Sequence, residues 1–109
     1  MDYSKAVEFS IAQQLLVSQI KLVDAEINDW ISQMNNLLMN SVTNLNENII
    51  PTPQTNGDVI CSLLKEKQIE GYEKYIESWN KLVEDRNNIY QNLNTLNNNI
   101  YTWATSSEG

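Results

Sequence analysis

Any chemistry performed by this chain would fall to carboxylates, amides and hydroxyls. It has no histidine, which removes the commonest general base and the commonest metal ligand. Cys61 is the single cysteine, so no internal disulfide framework forms, and a buried, inert thiol is its plain reading. Gly57, Gly71 and Gly109 stand apart from one another and build no phosphate-cradling loop. Glu70, Glu73 and Glu77 fall along one helical face, but no Glu-x-x-His element accompanies them to make a di-metal site. They read as solvated surface charge, as does the pair Glu84-Asp85. The sequence therefore points to a non-enzymatic protein with no cofactor and no metal.

The aromatic residues are more informative. Trp30, Trp79 and Trp103, with Tyr72, Tyr75, Tyr90 and Tyr101, fall largely on apolar rows, where such side chains act as core or as interface anchors. The stretch from Ile69 to Trp103 organises them. Ile69, Tyr72, Ile76, Trp79, Val83, Tyr90, Leu93, Ile100 and Trp103 keep a three-then-four rhythm over most of its length. Tyr75, Leu82, Ile89, Leu96 and Trp103 recur at a spacing of seven. This pattern is that of a long helix with a broad apolar face.

A second long helix precedes it. Phe9, Leu16, Ile20, Val23, Ile27, Trp30, Met34 and Leu37 form its main stripe, flanked by Leu15 and Leu22 and then by Ile31, Leu38 and Leu45. Helix one is expected over about 4–48, a length of about 65 Å, with a weak point at Ser41-Val42-Thr43. Pro51, Pro53 and Asn56-Gly57 mark a connector over 50–58, read as a rigid turn rather than a binding loop, with Asp58 as the cap of the next helix. Helix two is expected over about 59–104, with Gly71 inside it permitting close approach or a bend, and a disordered end over 105–109. The whole chain, 1–109, reads as one all-α domain, a long antiparallel helical hairpin with coiled-coil-like packing.

Two seam positions are polar. Arg86 stands where the rhythm calls for a hydrophobe. In one reading its stem lies on the apolar face and its guanidinium stays in water. In a sharper one it pairs with Asp24, Glu26 or Asp29 and fixes register. Gln13 invites the same reasoning on helix one. An antiparallel arrangement also brings Trp79 near Trp30, giving an aromatic layer rather than a ligand cage.

The apolar rows exceed what one facing helix covers. The interface candidates are Trp30, Ile31, Leu38, Tyr72, Tyr75, Trp79, Leu82, Arg86, Ile89, Tyr90, Leu96 and Trp103, completing a four-helix bundle with a second copy or with a protein partner. Hydrophobic residues make up 41% and charged residues 19% of the chain, with a net charge of −7 and seven dispersed Lys and Arg. That balance argues against gripping nucleic-acid phosphates or an anionic membrane surface. The apolar fraction is too regular for an acidic disordered tail. Asparagine fills much of the polar quota, as in Asn97-Asn98-Asn99, so helicity must come from packing rather than propensity. No stretch suggests a signal peptide or a membrane span, which leaves a cytoplasmic location or export by a signal-peptide-independent route.

Two helices joined at Asn56-Gly57 resemble, in architecture, the small helical-hairpin proteins of the type VII secretion pathway of Gram-positive bacteria and the helical accessory proteins of their toxins. Secretion needle subunits and secretion chaperones share the shape. The Trp-x-Gly turn of the type VII proteins is absent, since Thr55 rather than tryptophan stands two before Gly57, and so is their tail signal, since Tyr101 is followed four residues later by Thr105. The sequence thus leaves three functions: a structural or adaptor subunit, a partner of a toxin or secretion apparatus, and a small acidic phage or viral inhibitor of a nucleic-acid-binding protein.

Overall fold

The computed structural model describes residues 3–41 and 53–106. The described residues are all-α and form three helices: α1 over Tyr3–Ser41, α2 over Gly57–Glu66 and α3 over Tyr72–Ser106. Packing divides the chain into two units, one made of 25–83 and the other, the terminal unit, of 1–24 with 84–109.

The single helix expected over 59–104 is in fact two, and the interruption has a clear cause. Lys65 to Gln68 offer no apolar side chain to hold a helix against a core. The last turn of α2 closes instead with Gln68 N–H donating to the Lys65 carbonyl at 3.1 Å and Ile69 N–H donating to the Leu64 carbonyl at 3.1 Å. This pair of bonds is the Schellman stop, which satisfies carbonyls orphaned at a helix end. Gln68 takes φ 51°, and Gly71 follows at φ 82°. Two left-handed residues in four positions cannot continue a right-handed helix. Gly71 thus belongs to a boundary between helices rather than to a bend in a continuous one.

At its other end α2 starts earlier than expected. Asn56, not Asp58, is the cap: its side-chain oxygen accepts the Asp58 N–H at 2.9 Å, and its carbonyl accepts the Ile60 N–H at 3.0 Å. Asp58 sits in the first turn, where a carboxylate favours the helix dipole. Of the expected helix one, residues 42–48 lie outside the described residues, as do 50–52 of the connector and 107–109 of the tail. Thr105 and Ser106, expected in the disordered end, are the last residues of α3.

In the 25–83 unit the break lets α2 fold back. On an unbroken helix Asp58 and Trp79 would be about 30 Å apart. Here the Trp79 indole N–H donates to Asp58 Oδ1 at 3.1 Å. Trp30, Met34 and Leu38, spaced by four on α1, are buried with Ile60 and Leu64 of α2. Ile31, Leu37, Leu63, Ile69, Tyr72, Tyr75, Trp79 and Leu82 pack half-buried around them. Tyr75 and Leu82, on an apolar row expected to need a neighbour from outside, pack against the buried cluster that α1 and α2 of the same chain share. Asn35 pins the end of the connector, donating through Nδ2 to the Gln54 carbonyl at 2.8 Å and accepting the Gln54 N–H at 3.0 Å.

In the terminal unit α1 and α3 run antiparallel, since partners descend along α3 as they ascend along α1. Phe9 meets Trp103 with ring centroids 5.6 Å apart, Gln13 Nε2 donates to Asn97 Oδ1 at 2.9 Å, and Arg86 Nε lies 3.3 Å from Asp24 Oδ1.

Two substitutions test this account by thermal melting. A methyl on Gly57 would overlap the Trp79 indole, so Gly57→Ala is predicted to cost about 1–3 kcal/mol as overpacking. Gln68→Gly is predicted to raise stability by about 0.5–1 kcal/mol, because glycine relieves the left-handed strain at some entropic cost. A Gln68→Gly variant less stable than the parent would refute the Schellman assignment.

Candidate functional site

The interface candidates named from the sequence divide between the two units. Trp30 and Leu38 are buried in the core of the 25–83 unit, and Ile31, Tyr72, Tyr75, Trp79 and Leu82 line it. Trp30 and Trp79 stack with centroids 4.8 Å apart and planes 31° apart. The Trp30 indole N–H donates to the Tyr75 carbonyl at 3.1 Å, so both ends of this layer are satisfied. It is a packed aromatic layer with no room for a ligand between the rings.

In the terminal unit Arg86 pairs with Asp24, one of the three carboxylates the sequence offers it, and its guanidinium lies 5.4 Å from the Tyr90 ring centroid. Both ion-pair partners remain nearly half exposed, so the pair sets register more than it adds stability. Gln13 answers Asn97 in the same way. Ile89, Leu96 and Trp103 lie along α3 and are all half-buried, while Tyr90 is 38% exposed.

Among the described residues no group of three or more His, Cys, Asp or Glu could hold a metal ion. No helix of the described residues is long and apolar enough to cross a membrane. An open pocket of about 270 Å³ lies where Leu38, Met39, Leu63 and Lys67 approach Pro53 and Gln54. Among the described residues that line it, Lys67 alone carries a charge. Burial, aided by the nearby Asp58 carboxylate, pushes the Cys61 thiol above its ordinary pKa, which suppresses the nucleophilic thiolate.

The feature that stands out was only half visible in the sequence. Tyr3, Val7, Ile11, Leu15 and Leu22 of α1 are between 57% and 76% exposed. Tyr3, Val7, Ile11 and Leu15 follow one another at intervals of four, and Leu22 continues the row one Ser18-bridged step on. The packed face of the same stretch, through Phe9, Gln13, Leu16, Ile20 and Val23, lies roughly 170° away around the helix. This part of α1 is therefore apolar on two opposite faces, one turned to α3 and one exposed. Leu15 and Leu22 read as the flank of a single broad stripe because Leu15 adjoins Leu16 in sequence. Tyr3, Val7 and Ile11 escape that reading, and their spacing of four is the signal that could have found them.

Compared with known proteins, the chain matches no family model, no curated protein and no solved structure.

The raised thiol pKa carries a testable consequence. Cys61 is predicted to react with a thiol reagent at pH 8 several-fold more slowly than free cysteine, and to reach the free rate in denaturant. Equal rates for folded protein and free cysteine would contradict the burial of this thiol.

Proposed function

We propose that the protein is a non-enzymatic interaction or structural subunit that docks through the exposed face of α1 made by Tyr3, Val7, Ile11, Leu15 and Leu22. The observation that carries this reading is the pair of opposite apolar faces on one helix segment. A helix that needed only α3 would be polar on its far side. Soluble monomers rarely leave contiguous apolar patches of more than a few hundred Å² open to water, and such patches mark association sites.

The buried and half-buried tryptophans and tyrosines of the 25–83 unit support the reading in another way. They give that unit its own core, so their role is to hold a scaffold, and the contact surface lies elsewhere. The partner is a protein: the stripe is apolar and uncharged, which suits neither phosphate backbone nor an anionic headgroup.

Capture from native cells with the parent chain and with the double variant Val7→Gln, Leu15→Gln tests the proposal. Both sites are exposed, so thermal stability is predicted to shift by no more than about 0.5 kcal/mol per site, while proteins retained by the parent are lost. Retention of the same proteins at the same yield by the variant would overturn it.

A further inference from the structure

We propose that Asn56 is a self-modification site, an asparagine that cyclises onto the Gly57 nitrogen and becomes isoaspartate when α2 leaves its seat. The chemistry is internal to the chain apart from solvent. The Gly57 amide gives its proton to solvent base, and its nitrogen attacks Cγ of Asn56. The C–N bond of the side-chain amide breaks and ammonia leaves, closing a five-membered succinimide. Water then opens the ring at one carbonyl or the other, giving aspartate or isoaspartate. No oxidant or reductant takes part.

The packing of α2 sets up the reactive pair. Asn56-Gly57 is the one place in the chain where asparagine precedes glycine. Glycine leaves its nitrogen unshielded, because it carries no Cβ. The fold does not permit a bulkier successor, since a Cβ at position 57 would overlap the Trp79 indole. Trp79 thus commits the cap of α2 to the neighbour that attacks most readily. Asn56 itself is exposed, so water reaches its amide.

The same cap holds the reacting atoms apart while α2 is seated. Ring closure needs the Gly57 nitrogen to swing onto the Cβ side of Asn56, where it can approach Cγ. Asn56 stands instead at φ −94° and ψ 116°, an extended backbone that turns this nitrogen away from the side chain. Two hydrogen bonds fix it there. Oδ1 accepts the Asp58 N–H at 2.9 Å, and the main-chain carbonyl accepts the Ile60 N–H at 3.0 Å. Gly57 and Ile60 are buried, so turning ψ means lifting the first turn of α2 out of the core. The reaction therefore draws on the fraction of chains in which α2 is unseated.

The product keeps a record of that opening. Isoaspartate routes the main chain through the former side chain and lengthens it by one methylene. The carbonyl and side-chain oxygen that capped α2 are displaced together, and a helix without its cap is less stable. Ammonia loss is not reversed in water, so each opening that reacts loosens the seat of α2 permanently.

Ageing the full chain at pH 8, folded and in urea, tests the proposal. Peptide mapping with enzymatic methylation of isoaspartate reads the conversion at position 56. The unfolded chain is expected to convert at the rate of a free Asn-Gly peptide, and the folded chain at least about tenfold more slowly. Ile60→Val, a mild truncation inside the seat, is expected to raise the folded rate several-fold and leave the unfolded rate unchanged. Asn56→Ser keeps a capping side chain and is expected to abolish isoaspartate at this position. The isoaspartyl form, separated from the parent, is expected to melt below it. Equal rates in folded and unfolded chains overturn the proposal, as does a folded rate indifferent to Ile60→Val. Absence of isoaspartate at position 56 in the unfolded chain, or an isoaspartyl form that melts with the parent, overturns it as well.

Discussion

The burial of Ile60 and Leu64 against Trp30, Met34 and Leu38 is the interaction on which the 25–83 unit depends, and it exists because the chain stops being helical between Glu66 and Tyr72. Complete removal of one such aliphatic side chain from water is worth about 1.5–3 kcal/mol. The left-handed residues that permit it cost less, since glycine at position 71 adopts its φ freely. The bonds that close α2 satisfy the Leu63, Leu64 and Lys65 carbonyls, so the reversal recovers hydrogen bonds that a helix end would otherwise lose. The reversal creates contacts that a straight helix could not make: the Trp79 indole against Gly57 and its N–H on Asp58.

The terminal unit is built on a different principle. With two segments there is little interior, so most apolar side chains along its seam are only half-buried. Polar pairs sit at intervals among them, Gln13 with Asn97 and Arg86 with Asp24. Exposed pairs of this kind contribute under about 1 kcal/mol each. Their value lies in discrimination, because a shift of the helices by one turn would leave a carboxylate or an amide against an apolar side chain.

The all-α class, the three-four rhythm of α1 and α3, the antiparallel pairing in the terminal unit and the Arg86–Asp24 contact were legible in the sequence, because each follows from side-chain spacing on a helix. The break at 67–71 was not. Gln68 is an ordinary residue for a helix interior, and only its tertiary setting puts it at positive φ. Glycine at the same place would have announced the stop. Without the break, the apolar row through Tyr75 and Leu82 has no partner within the chain, so the surplus of apolar surface falls to the wrong stretch. The exposed row from Tyr3 to Leu22 is hidden for a related reason: adjacent apolar pairs such as Leu15-Leu16 look like one wide face, although neighbouring residues point about 100° apart.

The two units are nested along the chain, and this has a consequence for the order in which they form. Trp30 and Trp79 are separated by 49 positions, Phe9 and Trp103 by 94. A contact between distant residues must first meet the entropy of closing the intervening loop, which grows with the logarithm of its length. Once Trp30 holds Trp79, most of the loop between Phe9 and Trp103 is already closed. The inner unit thus acts as a clasp that shortens the search for the outer one by about 0.6 kcal/mol of chain entropy. On loop entropy alone the inner pairing is favoured to form first, and the helix segment bearing the exposed stripe to follow it.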